Sequence, residues 1–134
     1  MGLPHWEPGT AAILSVDGPH SIPISTAVRV ADYRLVFALG RRREALKRLR
    51  SVPAASFCLM GEGLAFTASG TARVLREELD CAPVVAVELQ VEQMQDHLVD
   101  GRTEMLSGPG WRWLDEDAAA SDPEIRAELE GIGS

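Results

Sequence analysis

The sequence predicts a mainly β fold: a six-stranded Greek-key barrel with one inserted helix and a short C-terminal helix. Three observations carry that prediction. Period-two alternation recurs along the first 95 residues, a single amphipathic helix interrupts it after the third strand, and a glycine stands in mid-strand at position 70.

Residues 11–16 are mostly apolar, and Asp17-Gly18-Pro19 follows as a turn. Over residues 21–30, Ile22, Ile24, Thr26, Val28 and Val30 alternate with Ser21, Pro23, Ser25, Ala27 and Arg29, so one continuous strand is expected. Residues 33–39, after an Ala31-Asp32 turn, are aromatic and branched and stop at Gly40, as the second arm of a hairpin would. The period then changes. Ala45, Leu46 and Leu49 form a narrow apolar stripe within residues 41–50, predicting a helix that Pro53 forces to end.

Residues 54–60 resume as a strand, and Gly61-Glu62-Gly63 makes a tight connection. Residues 64–75 put Leu64, Phe66, Ala68, Gly70, Ala72 and Val74 on one face, and the mid-strand glycine predicts the bulge or bend that a barrel needs. Residues 76–81 are expected to form one helical turn. Residues 83–95 read as a long strand with Val85, Val87, Leu89 and Val91 opposite Ala86, Glu88, Gln90 and Glu92. Past Asp96 the pattern weakens. Short strands are expected at residues 103–106 and 111–114, the second placing Trp111 and Trp113 on one face, where they would cover a core edge or interface, or wall a pocket in a partner copy. Residues 122–132 read as a helix with Asp122 as N-cap and Pro123 at the first helical position.

A chain of 134 residues that is 46% hydrophobic can bury one core, so a single domain over residues 1–134 is expected, with its core in residues 11–95 and a C-terminal extension in residues 96–134. No apolar run reaches the ~20 residues that cross a bilayer, and the N-terminus lacks a signal-peptide layout, which points to the cytoplasm and away from membranes. Cys58 and Cys81 lie in apolar surroundings without a Cys-x-x-Cys spacing and read as small buried residues. His5, His20 and His97 stand apart from one another, so no metal site is expected.

The net charge of −7 argues against nucleic-acid binding, because phosphate backbones reward basic surfaces. The cations are concentrated all the same. Arg41, Arg42, Arg43, Lys47, Arg48 and Arg50 fall within ten positions, which makes a local anion site possible in an acidic protein. Three arginines at a helix start are unfavourable against the macrodipole, and a bound anion would reverse that penalty.

Several of these segments together resemble the pyridoxamine 5'-phosphate oxidase-like family of flavin-binding split barrels. They are Asp17-Gly18-Pro19-His20-Ser21-Ile22-Pro23-Ile24, Leu35-Val36-Phe37-Ala38-Leu39-Gly40, the basic helix ending Leu49-Arg50-Ser51-Val52-Pro53, residues 54–59, and Ala68-Ser69-Gly70-Thr71-Ala72-Arg73-Val74. The resemblance spans about residues 11–95. It implies a six-stranded split barrel, a homodimer, and FMN at the dimer groove, with deazaflavin or haem in some branches. Carried over, the cofactor-binding positions are Ser25 and Thr26 on the second strand, and Leu39, Gly40, Arg41, Arg42 and Arg43 at the helix entrance. The family's usual Ser-Arg-Lys run falls on Arg43-Glu44-Ala45, so the lysine is absent and phosphate binding passes to neighbouring arginines.

The resulting expectation is an FMN-binding protein of oxidoreductase type acting on a small molecule, with no residue singled out as catalytic. The alternatives are a non-catalytic binding or scaffold dimer, a haem-binding variant with His20 or His97 as axial ligand, and a deazaflavin-dependent reductase.

Overall fold

A computed structural model describes residues 2–133 of the chain. Seven strands and two helices follow in the order β1 (Ala12–Val16), β2 (His20–Ile24), β3 (Val28–Ala31), β4 (Arg34–Gly40), α1 (Glu44–Ser51), β5 (Ala54–Gly61), β6 (Leu64–Arg76), β7 (Val84–Asp96) and α2 (Glu116–Gly133). They form one antiparallel sheet with the strand order β2-β1-β5-β6-β7-β4-β3.

The continuous strand expected over residues 21–30 is two strands, which raises the count from six to seven. β2 pairs with β1 and β3 with β4, at opposite edges of the sheet. Only Ser25, Thr26 and Ala27 link them, and Ile24 to Val28 can span at most about 14 Å. The adjoining ends of the two edge strands are therefore held close, and the sheet must curl to bring them together. The chain changes faces at this corner: Ile24 and Ala27 pack into the main core, whereas Val28 and Val30 pack into a second cluster behind the sheet. A period-two pattern continues through such a corner without marking it.

The main core holds Leu14, Leu35, Phe37, Phe57, Leu59, Phe66 and Leu89, all inward-facing strand residues. Trp6, from the segment before β1, lies on Phe57 and Phe66 with ring centroids 5.6 and 5.8 Å apart, and its Nε1 donates to the Ala27 carbonyl at 3.1 Å. Gly70 sits at a register shift, paired with Val91 while Ser69 pairs with Gln93, so Glu92 is the extra residue of a bulge.

α1 packs Ala45, Leu46 and Leu49 against the barrel and starts three residues later than the sequence predicts. α2 starts six residues earlier. Asp115 caps it, accepting from the amides of Asp117 at 2.9 Å and Ala118 at 3.3 Å. Asp122, the expected cap, is buried within the helix and pairs with Arg126 at 2.9 Å. The Asp-Pro dipeptide imitates a helix start, but the alanine-rich turn before it is a better helix former than a loop. Leu129 of α2 is fully buried against Val28, Val36 and Ala86 on the outer side of β3, β4 and β7.

Residues 76–81 form no helical turn, and residues 103–106 and 111–114 form no strands. Trp111 and Trp113 instead meet edge to face with centroids 5.1 Å apart. The cysteines also depart from expectation: Cys58 is half-buried on the outer side of β5 and Cys81 is exposed in the β6–β7 loop. Desolvation and the adjacent Glu128 carboxylate push the Cys81 thiol up to about 11, so it stays protonated at neutral pH.

Outside the barrel Glu88 of β7 is 3% exposed and bridges its two neighbouring strands. It accepts from Arg34 Nε at 2.7 Å and Arg73 Nε at 2.9 Å. Burial alone would raise its pKa, but the hydrogen bonds and charges of the two arginines together hold the carboxyl below the ordinary carboxylate value. A depressed folded-state pKa stabilises above the unfolded value and is lost as pH falls through the folded one. Glu88→Gln should thus cost about 2 kcal/mol at neutral pH, less than a fully buried pair because both arginines reach solvent. Urea titrations should show the gap to wild type narrowing as pH drops below the ordinary carboxylate range; a gap independent of pH would remove the ionised form from the account.

Candidate functional site

The basic residues gather where β4 ends. Arg43 N–H donates to the Gly40 carbonyl at 3.1 Å, closing a turn that projects Arg41 and Arg42 before α1 begins. Arg43 is the N-cap residue, with an extended backbone and no side-chain cap bond. The amides of Glu44 and Ala45 therefore have no acceptor among the described residues. An open cavity of about 310 Å³ lies here, lined by six residues, Arg41, Arg42, Arg43, Leu46, Lys47 and Arg50, together with one carboxylate, Glu44.

These cations are not equivalent. Arg41 pairs with Glu78, and Arg50 is gripped by both oxygens of Glu77 at 2.6 and 3.0 Å. Those hydrogen bonds raise the Arg50 pKa and lower that of Glu77. Arg48 binds Glu44 at 2.9 Å and the Asp17 carbonyl at 2.9 Å. Arg42, Arg43 and Lys47 are left exposed, with no ion pair or side-chain hydrogen bond among the described residues.

Thr26 lies beside the same strand end. Its Oγ1 accepts from the Ala38 amide at 3.0 Å and donates to the Ala38 carbonyl at 3.4 Å, so it extends the β3–β4 ladder by side-chain bonds. Ser25 is half-buried next to it. The fold thus ties Thr26 to β4 two residues before Gly40, where the arginine turn begins, while neither Ser25 nor Thr26 lines the cavity. Leu39 differs, because its side chain is in the core and it does not line the cavity. Ala45 is 1% exposed against the barrel, so a lysine there would bury an ammonium in apolar surroundings. That explains why the cations stand on the turn and at Lys47 on the open face of the helix. The Glu77-Glu78 pair escapes sequence reasoning: it is an unremarkable acidic dipeptide until the strand order sets it against Arg41 and Arg50.

A second surface is the outer side of β2, β1, β5, β6 and the end of β7. Register partners Ser21, Ser15, Ser56, Ser69 and Gln93 form one row across five strands. Ser15 and Ser21 share a 2.8 Å hydroxyl bond, and a shallow groove of about 490 Å³ follows the row. Ile13 and Met60, each 40% exposed, stand on the same face, and both helices pack elsewhere. His97 Nε2 contacts Thr67 Oγ1 at 2.7 Å at one end. Among the described residues no three metal-ligating side chains cluster, and no helix is long and apolar enough to cross a membrane.

No family model and no curated protein matches the sequence. Solved structures do match. HupZ of Group A Streptococcus superposes with a TM-score of 0.56 at 12% identity, covering 75% of this chain and 90% of that one. A candidate pyridoxamine 5'-phosphate oxidase from Lactobacillus delbrueckii gives a TM-score of 0.56 at 17% identity, covering 65% and 84%. A FAD-binding protein from Mesorhizobium loti gives 0.51 at 18%, covering 63% and 81%. At these identities the likeness establishes the fold.

Proposed function

We propose, from the premise that this chain has the pyridoxamine 5'-phosphate oxidase-like split-barrel fold, that it binds FMN with the phosphate at the turn between β4 and α1. One observation carries the reading. In an acidic protein, Arg42, Arg43 and Lys47 stand unpaired around a helix start whose first amides have no cap.

The donor set suits a phosphate dianion. Guanidinium forks and helix-terminal N–H groups both bind phosphate oxygens, and charge-assisted bonds of this kind are the strong ones. No buried side-chain polar atom among the described residues lacks a partner, so the fit rests on this exposed donor set. Arg42, Arg43, Lys47 and the amides of Glu44 and Ala45 would hold the phosphate, with the Ser25 hydroxyl able to contribute one further bond. Thr26 acts as a positioning residue, since its hydroxyl already ties the corner to Ala38. Flavin supplies the redox chemistry when bound, which makes the proposed protein one of oxidoreductase type acting on a small molecule.

The same reading includes a homodimer through the serine-lined outer face. Its small side chains permit close approach of a second sheet, while Ile13 and Met60 supply apolar area. Trp111 and Trp113, each 42% exposed on the segment after β7, are available to cover a partner's site.

Titration of FMN, followed by quenching of its fluorescence, tests this directly, with denaturing release and mass determination of anything the purified chain already carries. The Arg42→Ala/Arg43→Ala double variant is expected to lose about a hundredfold in affinity, as two charge-assisted bonds would. Its thermal transition should stay within a few degrees of wild type, because both side chains are exposed. Sedimentation of the same samples should give twice the chain mass. Unchanged affinity would take this corner out of the site, and a released deazaflavin or haem would replace FMN as the ligand.

A further inference from the structure

The cavity beside α1 is already partly satisfied by the chain's own anions. Glu77 and Glu78 begin the loop that joins β6 to β7, and they hold Arg50 and Arg41, which line the same cavity as the unpaired Arg42, Arg43 and Lys47. The loop backbone is fixed independently of those contacts. Glu128 of α2 accepts from the Asp80 amide at 2.7 Å, the Cys81 amide at 2.9 Å and Arg76 at 3.2 Å. Leu79 is buried in the second cluster, with its amide bonded to the Val84 carbonyl at 3.0 Å.

We infer that Glu77 and Glu78 are a built-in counter-anion of the basic corner: they neutralise Arg41 and Arg50 and compete with a phosphate-bearing ligand for them. The inference rests on the phosphate reading of this corner. With the backbone pinned at Leu79, Asp80 and Cys81, the competition is made by side-chain rotation and not by loop opening.

The magnitudes make this an adjustable competition and not a lock. Side-chain exposure is 51% and 58% for Arg41 and Glu78, and 44% and 68% for Arg50 and Glu77. Exposed pairs of this kind are each worth up to about fivefold in an equilibrium. A dianion entering the cavity would also be repelled by both carboxylates, an effect that salt screens.

The test is the Glu77→Gln/Glu78→Gln variant, which keeps side-chain size and removes both charges. FMN and inorganic phosphate are titrated calorimetrically into the full chain at low and high salt. The control is Glu62→Gln/Glu104→Gln, which makes the same change in net charge at the far end of β5. FMN affinity should rise about tenfold in the first variant at low salt, with the gain shrinking at high salt and absent from the control. If wild type binds FMN and the first variant binds it no better, or no better than the control, the inference is overturned and the phosphate site stands. If neither wild type nor variant takes up FMN or phosphate, the phosphate site itself falls, and the inference with it.

Discussion

Phe57→Ala is expected to lower the unfolding free energy by about 4 kcal/mol, measured by urea titration with tryptophan fluorescence as the signal. Phe57 is completely buried on the inner face of β5, between β1 and β6. Its ring touches Trp6 and Phe66 at centroid distances of 5.6 and 6.1 Å, and those three rings form the aromatic centre of the barrel. Truncation removes the transfer energy of a benzyl group and opens a cavity that a closed sheet cannot collapse to fill. Trp6 adds to the loss. It belongs to the irregular segment before β1 and is held by ring packing and one bond to Ala27, so its support weakens as Phe57 goes. Domains of this size have only about 5–15 kcal/mol in total, so the variant should sit near the edge of folding at body temperature. Phe57→Leu, which keeps most of the volume, should lose less than half as much. A loss under about 2 kcal/mol for the alanine variant would mean that the barrel interior repacks more freely than its rings suggest.

The inward faces of β6 and β7 were legible from sequence because alternation and burial coincide there: Phe66, Ala68, Val87 and Leu89 all face the core as their spacing predicts. Three kinds of feature were not. The corner at Ser25–Ala27 preserves an alternating pattern while exchanging which face is inward, so periodicity reads straight through it. The start of α2 carries two rival caps, Asp115 and Asp122, and the Pro123 signal favours the wrong one until the packing of the whole helix on β3 and β4 is known. At the candidate site the concentration of arginines was visible but their pairing was not. Which of them stay free depends on β7 lying between β6 and β4, and the loop from β6 to β7 brings Glu77 and Glu78 across to Arg50 and Arg41. Residue types announce a charge cluster, whereas topology decides how much of it is left for a ligand.

Gly70→Ala should produce the other large effect, about 3 kcal/mol of lost stability, from the addition of one carbon atom. A Cβ at position 70 would lie 1.9 Å from the Gln90 carbonyl oxygen, 2.9 Å from its carbon and 3.0 Å from the Glu92 nitrogen. All three are backbone atoms, so no side-chain rotation can relieve the clash and the two strands must separate. They separate at the bulge, where Glu92 is extra and its carboxylate accepts from Thr71 at 2.6 Å. The bulge has a purpose in the barrel: it resets the phase of β7 so that Val91 and Met94, three apart, both reach the core. Straightening this point should turn one of them outward and move the second half of β6, whose end at Arg76 leads directly into Glu77 and Glu78. Gly61→Ala is the matched comparison, because a Cβ there meets nothing within 4 Å, and it should stay within about 0.5 kcal/mol of wild type. Urea midpoints for the two variants decide the matter. If they agree, the close approach of β6 to β7 is not a constraint on the folded chain, and the curvature that carries the loop to the arginine corner has to come from elsewhere in the sheet.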